Sequence, residues 1–142
     1  MKILKVILTI IIISSSSLFA DDWIVSPEQL PQRAKQFIAQ IFPDAQIWYV
    51  EMDDGKYEVE LSNGIKIDFL GNGDWKEIDA EYIGIPYNVF PANVANTIRN
   101  TYPQTVIISA EKKWGTYEIK LNNMMELYIS SDGQLIGQKF DD

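Results

Sequence analysis

Two patterns of hydrophobic and polar positions alternate along the chain. Between Pro31 and Pro43, and again between Pro91 and Pro103, apolar residues recur every three or four positions, as in a helix with one buried face. After each stretch the interval falls to two, as in a half-buried β-strand. The apolar helix positions are Ala34, Phe37, Ile38 and Ile41 in the first stretch and Val94, Ile98 and Tyr102 in the second.

Turn residues divide the segment after each helix into four predicted strands. Asp54-Gly55 and Asn63-Gly64 are dipeptides that close tight antiparallel hairpins, and Gly73 and Gly133 mark later turns. The predicted strands are 46–52, 56–61, 65–70 and 74–80 in the first half and 106–112, 116–121, 125–130 and 134–140 in the second. Each half is therefore predicted to be one helix and a four-stranded antiparallel meander.

The two halves match each other without a gap when the sequence is displaced by 60 positions. Such self-similarity indicates an internal repeat. The identical pairs include Pro31 with Pro91, Pro43 with Pro103, Glu51 with Glu111, Gly55 with Gly115, Tyr57 with Tyr117, Glu58 with Glu118 and Leu61 with Leu121. We predict a single domain over 21–142 made of repeats at about 26–82 and 86–142. Its α+β fold is a sheet of about eight strands with both helices on one face.

Alternation within the strands assigns residues to the two faces of the sheet. Val59, Ile67 and Ile119 are predicted to face the helices, and the charged residues between them to lie on an open face. The first strand of each half is less regular, and there we place Trp48 and Ile108 on the buried side.

The first twenty residues predict export. Lys2 and Lys5 precede the apolar run 7–13, and Ala20 offers a small residue for cleavage. A membrane-spanning helix needs about 20 apolar residues, so this run predicts a cleaved signal peptide at 1–20 and no stable membrane insertion. The expected location is the periplasm.

Composition narrows the chemistry that the chain can perform. It contains no histidine and no cysteine, which excludes the serine triad, thiol catalysis and the usual zinc ligands. A net charge of -8 disfavours nucleic acid and anionic lipid as partners. Glu58 with Glu60, and Glu118 with Glu126, would serve an unusual carboxylate hydrolase, but they lie on predicted solvated faces. We therefore expect no catalytic residue and no enzyme.

The open face is the predicted binding surface. Tyr128 lies among charged neighbours there, an aromatic setting common at protein interfaces. Trp114 falls at a hairpin tip where the other half has Asp54, so the repeat does not require an indole. The candidate binding residues are Glu58, Glu60, Asp68, Trp114, Glu118, Lys120, Glu126 and Tyr128. The expected partner is an unidentified periplasmic protein.

Calcium is the alternative ligand because the chain has 20 acidic residues. Asp53-Asp54-Gly55 and Asn72-Gly73-Asp74 place side-chain oxygens beside sharp turns, but neither stretch has the spacing of a calcium loop, and ordinary turn chemistry accounts for both. We expect no cofactor or metal, and keep a calcium- or small-ligand-responsive sensor as the second function.

The framework residues resemble the PepSY-like periplasmic family. The resemblance is carried by Leu30-Pro31, Phe42-Pro43, Tyr57-Glu58-Val59-Glu60-Leu61 and Asn63-Gly64, and the second half repeats it with Asn123-Met124 in place of Asn-Gly. It implies a fold similar to the beta-lactamase inhibitor proteins and a function in binding or restraining a peptidase or another enzyme. It transfers no inhibitory residue to a position in this chain.

Overall fold

The structure is a computed structural model that describes residues 23–141, so the signal peptide expected at 1–20 lies outside the described residues. Two helices are present in this part of the chain, α1 (Gln32–Ile41) and α2 (Ala92–Thr101). The strands are β1 (Trp23–Val25), β2 (Ile47–Asp53), β3 (Lys56–Leu61), β4 (Lys66–Phe69), β5 (Trp75–Asp79), β6 (Ile107–Lys113), β7 (Thr116–Leu121), β8 (Met125–Ser130) and β9 (Leu135–Phe140). Short 3₁₀ turns, Pro27–Gln29 and Tyr87–Val89, precede the helices.

All nine strands form one sheet in sequence order, and every neighbouring pair is antiparallel. The predicted α+β fold is confirmed. The sheet has nine strands rather than eight because Trp23–Val25 pairs with β2. This strand was not predicted because three residues are too few to show an alternating pattern. The halves join where β5 pairs with β6, with Ile78 opposite Ala110.

The core lies between the helices and one face of the sheet. Each helix buries the stripe that its spacing predicts, including Ala34 and Ile38 in α1 and Val94 and Ile98 in α2. Burying each such side chain stabilises the fold by about 1.5–3 kcal/mol for the larger aliphatics. Edge-to-face ring contacts continue the core across the junction between halves. They join Phe37 to Phe69 at 5.9 Å, Trp75 to Phe90 at 6.1 Å and Phe90 to Tyr117 at 5.8 Å.

The prediction for the first strand of each half was wrong. A register shift in β2 turns Trp48 outward, where 69% of it is exposed, and leaves Val50 fully buried. The equivalent shift in β6 buries Ile107 and Ala110 and leaves Ile108 half-buried. A bulge adds one residue to a strand and so breaks the alternation on which the prediction rested.

Two glycines bring turns of the sheet against the helices. Gly73 has a φ of +88°, and a Cβ there would lie 3.0 Å from the Cβ atoms of Arg33 and Pro31. Gly133 has a φ of +90°, and a Cβ there would lie 2.9 Å from that of Asn93. Both positions therefore require glycine, for conformation and for space. Within the described residues, no helix has the length and apolar character to cross a membrane.

Candidate functional site

The sheet face opposite the helices carries a continuous line of acidic side chains. Neighbouring strands place them directly opposite one another at one level of the sheet. This acidic row consists of Glu51, Glu58, Asp68, Glu77, Glu111 and Glu118, from β2 to β7. Directly opposed like charges destabilise a sheet, so folding alone does not favour this arrangement.

A second line on the same face has the opposite character. This alternating row consists of Tyr49, Glu60, Lys66, Asp79, Ser109, Lys120, Glu126 and Lys139, from β2 to β9. Acids and lysines face each other across several of its strand pairs. Lys139 Nζ lies 3.7 Å from Glu126 Oε2, and Lys120 Nζ lies 2.9 Å from Asp141 Oδ2. The acidic row is therefore a local feature rather than a property of the whole face.

Lysines neutralise only one end of the acidic row. Lys113 Nζ lies 3.5 Å from both Glu111 Oε2 and Glu118 Oε2, and Lys76 Nζ lies 3.3 Å from Glu111 Oε1. Within the described residues, no lysine or arginine lies within 4.0 Å of the carboxylates of Glu51, Glu58, Asp68 or Glu77.

Two acids in the middle of the row hold their protons more tightly than usual. Partial burial raises the pKa of Asp68, and the charge of Glu111 raises it further against the opposing effect of Lys76. Partial burial also raises the pKa of Glu77, and Glu111 and Asp68 add to the shift. The shift of Glu77 agrees with a row of carboxylates that is incompletely neutralised, whereas the shift of Asp68 comes from its burial.

The row runs toward an exposed aromatic at the β6–β7 hairpin. The two-residue turn there is Trp114-Gly115, with φ values of 51° and 73°. Positive φ at both positions defines a type I′ turn, which favours Asn, Asp or Gly at its first position. A bulky residue in this conformation is strained, and Trp114 is also 100% exposed. The indole thus contributes neither to the turn nor to the core.

Trp114 borders a largely apolar groove on the open face. The groove has a volume of about 400 Å³, and its floor includes Tyr128, which lies opposite Glu118 on one side and Gly137 on the other. Ile136, 61% exposed, closes the far side. Tyr128 is half-buried, and its hydroxyl donates to Glu126 Oε1 at 3.1 Å. An aromatic and aliphatic groove with charged margins has the composition of an interface core with a polar rim.

The first half has a different surface at the equivalent place. The positions sixty residues before Trp114, Tyr128 and Ile136 hold Asp54, Asp68 and Lys76. The cleft there has a volume of about 180 Å³ and is lined largely by charged residues, including Glu58, Asp68 and Lys76. The same backbone therefore presents an apolar groove in one half and a charged cleft in the other.

The structure divides the residues predicted from the sequence among three places. Glu58, Asp68 and Glu118 lie in the acidic row; Glu60, Lys120 and Glu126 lie in the alternating row; Trp114 and Tyr128 line the groove. Sequence reasoning missed Ile136, because a register shift between β8 and β9 changes the face it occupies. It also missed Glu77 and Glu111, whose neighbours in space come from pairing between the two halves.

No grouping of three or more acidic side chains suited to hold a metal ion occurs among residues 23–141. The acids of the row are spread along it, one to a strand, whereas a calcium site needs 6–8 oxygen ligands at about 2.3–2.6 Å around one point. The geometry therefore favours contact with an extended surface over chelation of one ion.

The sequence matches the profile of one protein family over most of its length. The sequence profile described as "Putative beta-lactamase-inhibitor-like, PepSY-like" matches residues 21–67 and 55–137. No curated protein sequence matches the chain.

Solved structures of similar proteins come from Bacteroides species. A "putative calcium-regulated periplasmic protein" from Bacteroides thetaiotaomicron has a TM-score of 0.78 and 32% identity, over 84% of this chain and 97% of that one. A "putative periplasmic protein" from Bacteroides vulgatus has a TM-score of 0.78 and 29% identity, over 84% and 97%. Another Bacteroides vulgatus protein, "of unknown function", has a TM-score of 0.76 at 23% identity, over 84% and 99%, and shows likeness of fold alone.

Proposed function

The chain belongs to the PepSY-like, beta-lactamase-inhibitor-like family, and we propose that it is an exported, non-catalytic protein that binds another periplasmic protein through the open face of its sheet. The partner contacts the groove formed by Trp114, Tyr128 and Ile136. Where the partner is a peptidase or another enzyme, binding restrains its activity. The periplasmic descriptions of the two similar proteins from Bacteroides support the location.

The fully exposed indole of Trp114 is the observation that carries this proposal. It occupies a turn position that favours a small polar residue, and the equivalent turn has Asp54. Tryptophan and tyrosine are enriched among the residues that dominate binding energies at interfaces. The strained turn costs the isolated protein free energy, and burial of the exposed ring by a partner would contribute free energy to binding.

The absence of histidine and cysteine from the sequence supports a non-catalytic role. Acids remain as candidate catalysts, but Glu58, Glu60, Glu118 and Glu126 stand on the open face in line with lysines or other acids. The clefts that Glu58 and Glu118 line are open to solvent, unlike the enclosed apolar pocket that prepares a carboxyl group for acid catalysis.

Affinity capture from a periplasmic extract tests the proposal. The bait is the exported chain, compared with a Trp114→Asn variant, in which asparagine suits the positive φ of the turn. We expect the wild type to retain a partner and the variant to lose it, because removing a central aromatic anchor typically costs at least about 2 kcal/mol of binding.

Trp48→Asn is the matched control. It removes another largely exposed indole from the same face but lies outside the groove. Retention of the partner by this control and its loss from Trp114→Asn would support a specific site. Equal loss of the partner from both variants would indicate non-specific contact by exposed indoles. Retention of the partner by both variants would rule out the groove as the binding site.

A calcium-responsive sensor is the second candidate function, supported by the description of the 32% identical protein as calcium-regulated. A ligand that binds only the folded state raises its stability as concentration increases. This function predicts that the melting temperature rises with millimolar calcium chloride and rises less with magnesium chloride. An unchanged melting temperature would remove the candidate.

A further inference from the structure

The groove and the acidic row together suggest the chemistry of the partner. Building on the proposed function, we propose that the partner contributes a basic segment, which seats one apolar side chain in the groove beside Trp114 and lays its lysines or arginines along the acidic row. The groove accepts the apolar side chain, and the adjoining acidic row determines the charge of the segment that carries it.

The row and the groove are continuous on the open face. Glu118, the last acid of the row, lies directly opposite Tyr128 on the floor of the groove, and it lines the groove with Trp114. A segment leaving the groove across the strands therefore meets carboxylates at every step. Adjacent strands are about 4.8 Å apart, so the five intervals from Glu118 to Glu51 span about 24 Å. About seven extended residues cover that distance at roughly 3.3 Å each.

The end of the acidic row farthest from the groove is the least neutralised and should attract a cation most strongly. Lys113 already contacts Glu111 and Glu118 beside the groove. Glu51 and Glu58 face each other across β2 and β3, with no described lysine or arginine within 4.0 Å of either carboxylate. A cation placed there would relieve a repulsion that the free protein sustains, and that relief adds to the binding free energy.

Charge also argues against the other occupants of this surface. A second copy of the chain docked face to face would oppose one acidic row to another. An anionic membrane would be repelled by a protein whose net charge is -8. A lone divalent ion would leave the apolar groove unused. A basic protein segment with an apolar anchor satisfies both features.

Binding of defined peptides to the purified exported chain tests the inference by isothermal titration calorimetry. The probe is an octapeptide with one leucine followed by lysines alternating with serines, and two comparison peptides replace its lysines with glutamates or its leucine with serine. We expect the probe to bind, the glutamate peptide to show no heat of binding, and the serine peptide to bind more weakly. Binding should weaken as salt is added, because these charges lie on a face of the sheet that solvent reaches.

Two chemically matched double variants separate the row from net charge. Glu58→Gln with Asp68→Asn removes two acids from the acidic row, and Glu60→Gln with Asp79→Asn removes two acids from the alternating row of the same face. Both change the net charge equally. We expect the first double variant to weaken probe binding roughly fivefold and the second less than about twofold, because each ion pair at a protein surface contributes at most about 1 kcal/mol. Equal weakening would overturn the role of the row.

The outcomes distinguish this inference from the function on which it rests. If Trp114→Asn abolishes capture of the periplasmic partner but the lysine probe does not bind, the inference fails and the proposed function stands. If Trp114→Asn changes neither capture nor probe binding, the proposed function fails and takes this inference with it.

Discussion

The β2–β3 and β6–β7 hairpins share a backbone but not a surface. Asp54-Gly55 has φ values of 49° and 73°, and Trp114-Gly115 has 51° and 73°. Aspartate adopts the left-handed region readily, whereas tryptophan adopts it only at a cost in free energy. The backbone therefore requires the turn and its glycine but does not require tryptophan before the glycine. The surface beside this turn is an apolar groove in the second half and a charged cleft in the first half.

The comparison separates residues that hold the fold from residues that are free to serve a partner. Leu61 and Leu121, at equivalent positions of the two halves, are both fully buried. On the open face some positions keep the same residue, as with Glu58 and Glu118, and others diverge, as with Asp68 and Tyr128. A feature present in only one half, and costly to the free protein, is the better candidate for function.

The largest effect should come from the shared core. Leu61→Ala and Leu121→Ala each remove a fully buried side chain, and each should lower the free energy of unfolding by about 3 kcal/mol. Chemical denaturation measures both values. A much smaller loss in one half would break the equivalence of the two cores.

Exchanging the turn residues should have a smaller effect of opposite sign in the two halves. Trp114→Asp should raise the free energy of unfolding by about 1 kcal/mol, and Asp54→Trp should lower it by a similar amount, because left-handed backbone is costly for a bulky residue. Denaturation of each single variant and of the double exchange measures this. Destabilisation by Trp114→Asp would mean that the indole supports the fold.

Relief of the acidic row should stabilise the protein in a pH-dependent manner. The pKa values of Asp68 and Glu77 are raised above their ordinary values of 3.8 and 4.5, so protonation favours the folded state. The stability gained by protonation is fully present below about pH 4 and is lost as the pH rises through the raised folded-state values. The double variant Asp68→Asn with Glu77→Gln should therefore have a free energy of unfolding at pH 7 about 0.5 kcal/mol higher than that of the wild type.

Thermal melts of the wild type and this double variant between pH 3.5 and pH 7 measure the difference in their stability. The lowest pH of this series lies below the ordinary pKa values of both acids. The advantage of the variant should disappear at the acidic end. An advantage that persists unchanged at low pH would show that repulsion between carboxylates is not its source.

The smallest effect is expected in the alternating row. Glu60→Gln with Asp79→Asn removes two acids that face Lys66 on neighbouring strands, so it should lower the free energy of unfolding by no more than about 0.5 kcal/mol. Denaturation at neutral pH measures it. Stabilisation as large as that from the acidic-row variant would show that total charge, rather than its arrangement, governs stability.

Much of this architecture follows from local pattern. The spacing of Ala34, Ile38 and Ile41 predicts the first helix and its buried face, and the period of two predicts the inward residues of β3, β4, β7 and β8. The turn glycines mark most strand ends. These features were predictable because each depends on residues close together in sequence.

The remainder depends on contacts that local pattern does not record. Bulges in β2 and β6 reversed the expected positions of Trp48 and Ile108. The acidic row depends on Glu77 facing Glu111, a pairing between halves that no single strand reveals. Trp114 was recognisable as a candidate because the other half has Asp54 at its position, and Tyr128 because it lies among charged neighbours, but Ile136 joins them only through the register of β9.

Site-specific photo-cross-linking in the periplasm tests most directly whether the groove is the binding site. The photoreactive residue p-benzoylphenylalanine is placed at position 114, 48 or 54 of the exported chain, so that the two controls sample another exposed indole site and the equivalent turn. We expect a discrete protein adduct from position 114 and none from positions 48 and 54. Adducts of similar yield from all three positions, or an adduct from position 54 alone, would contradict it.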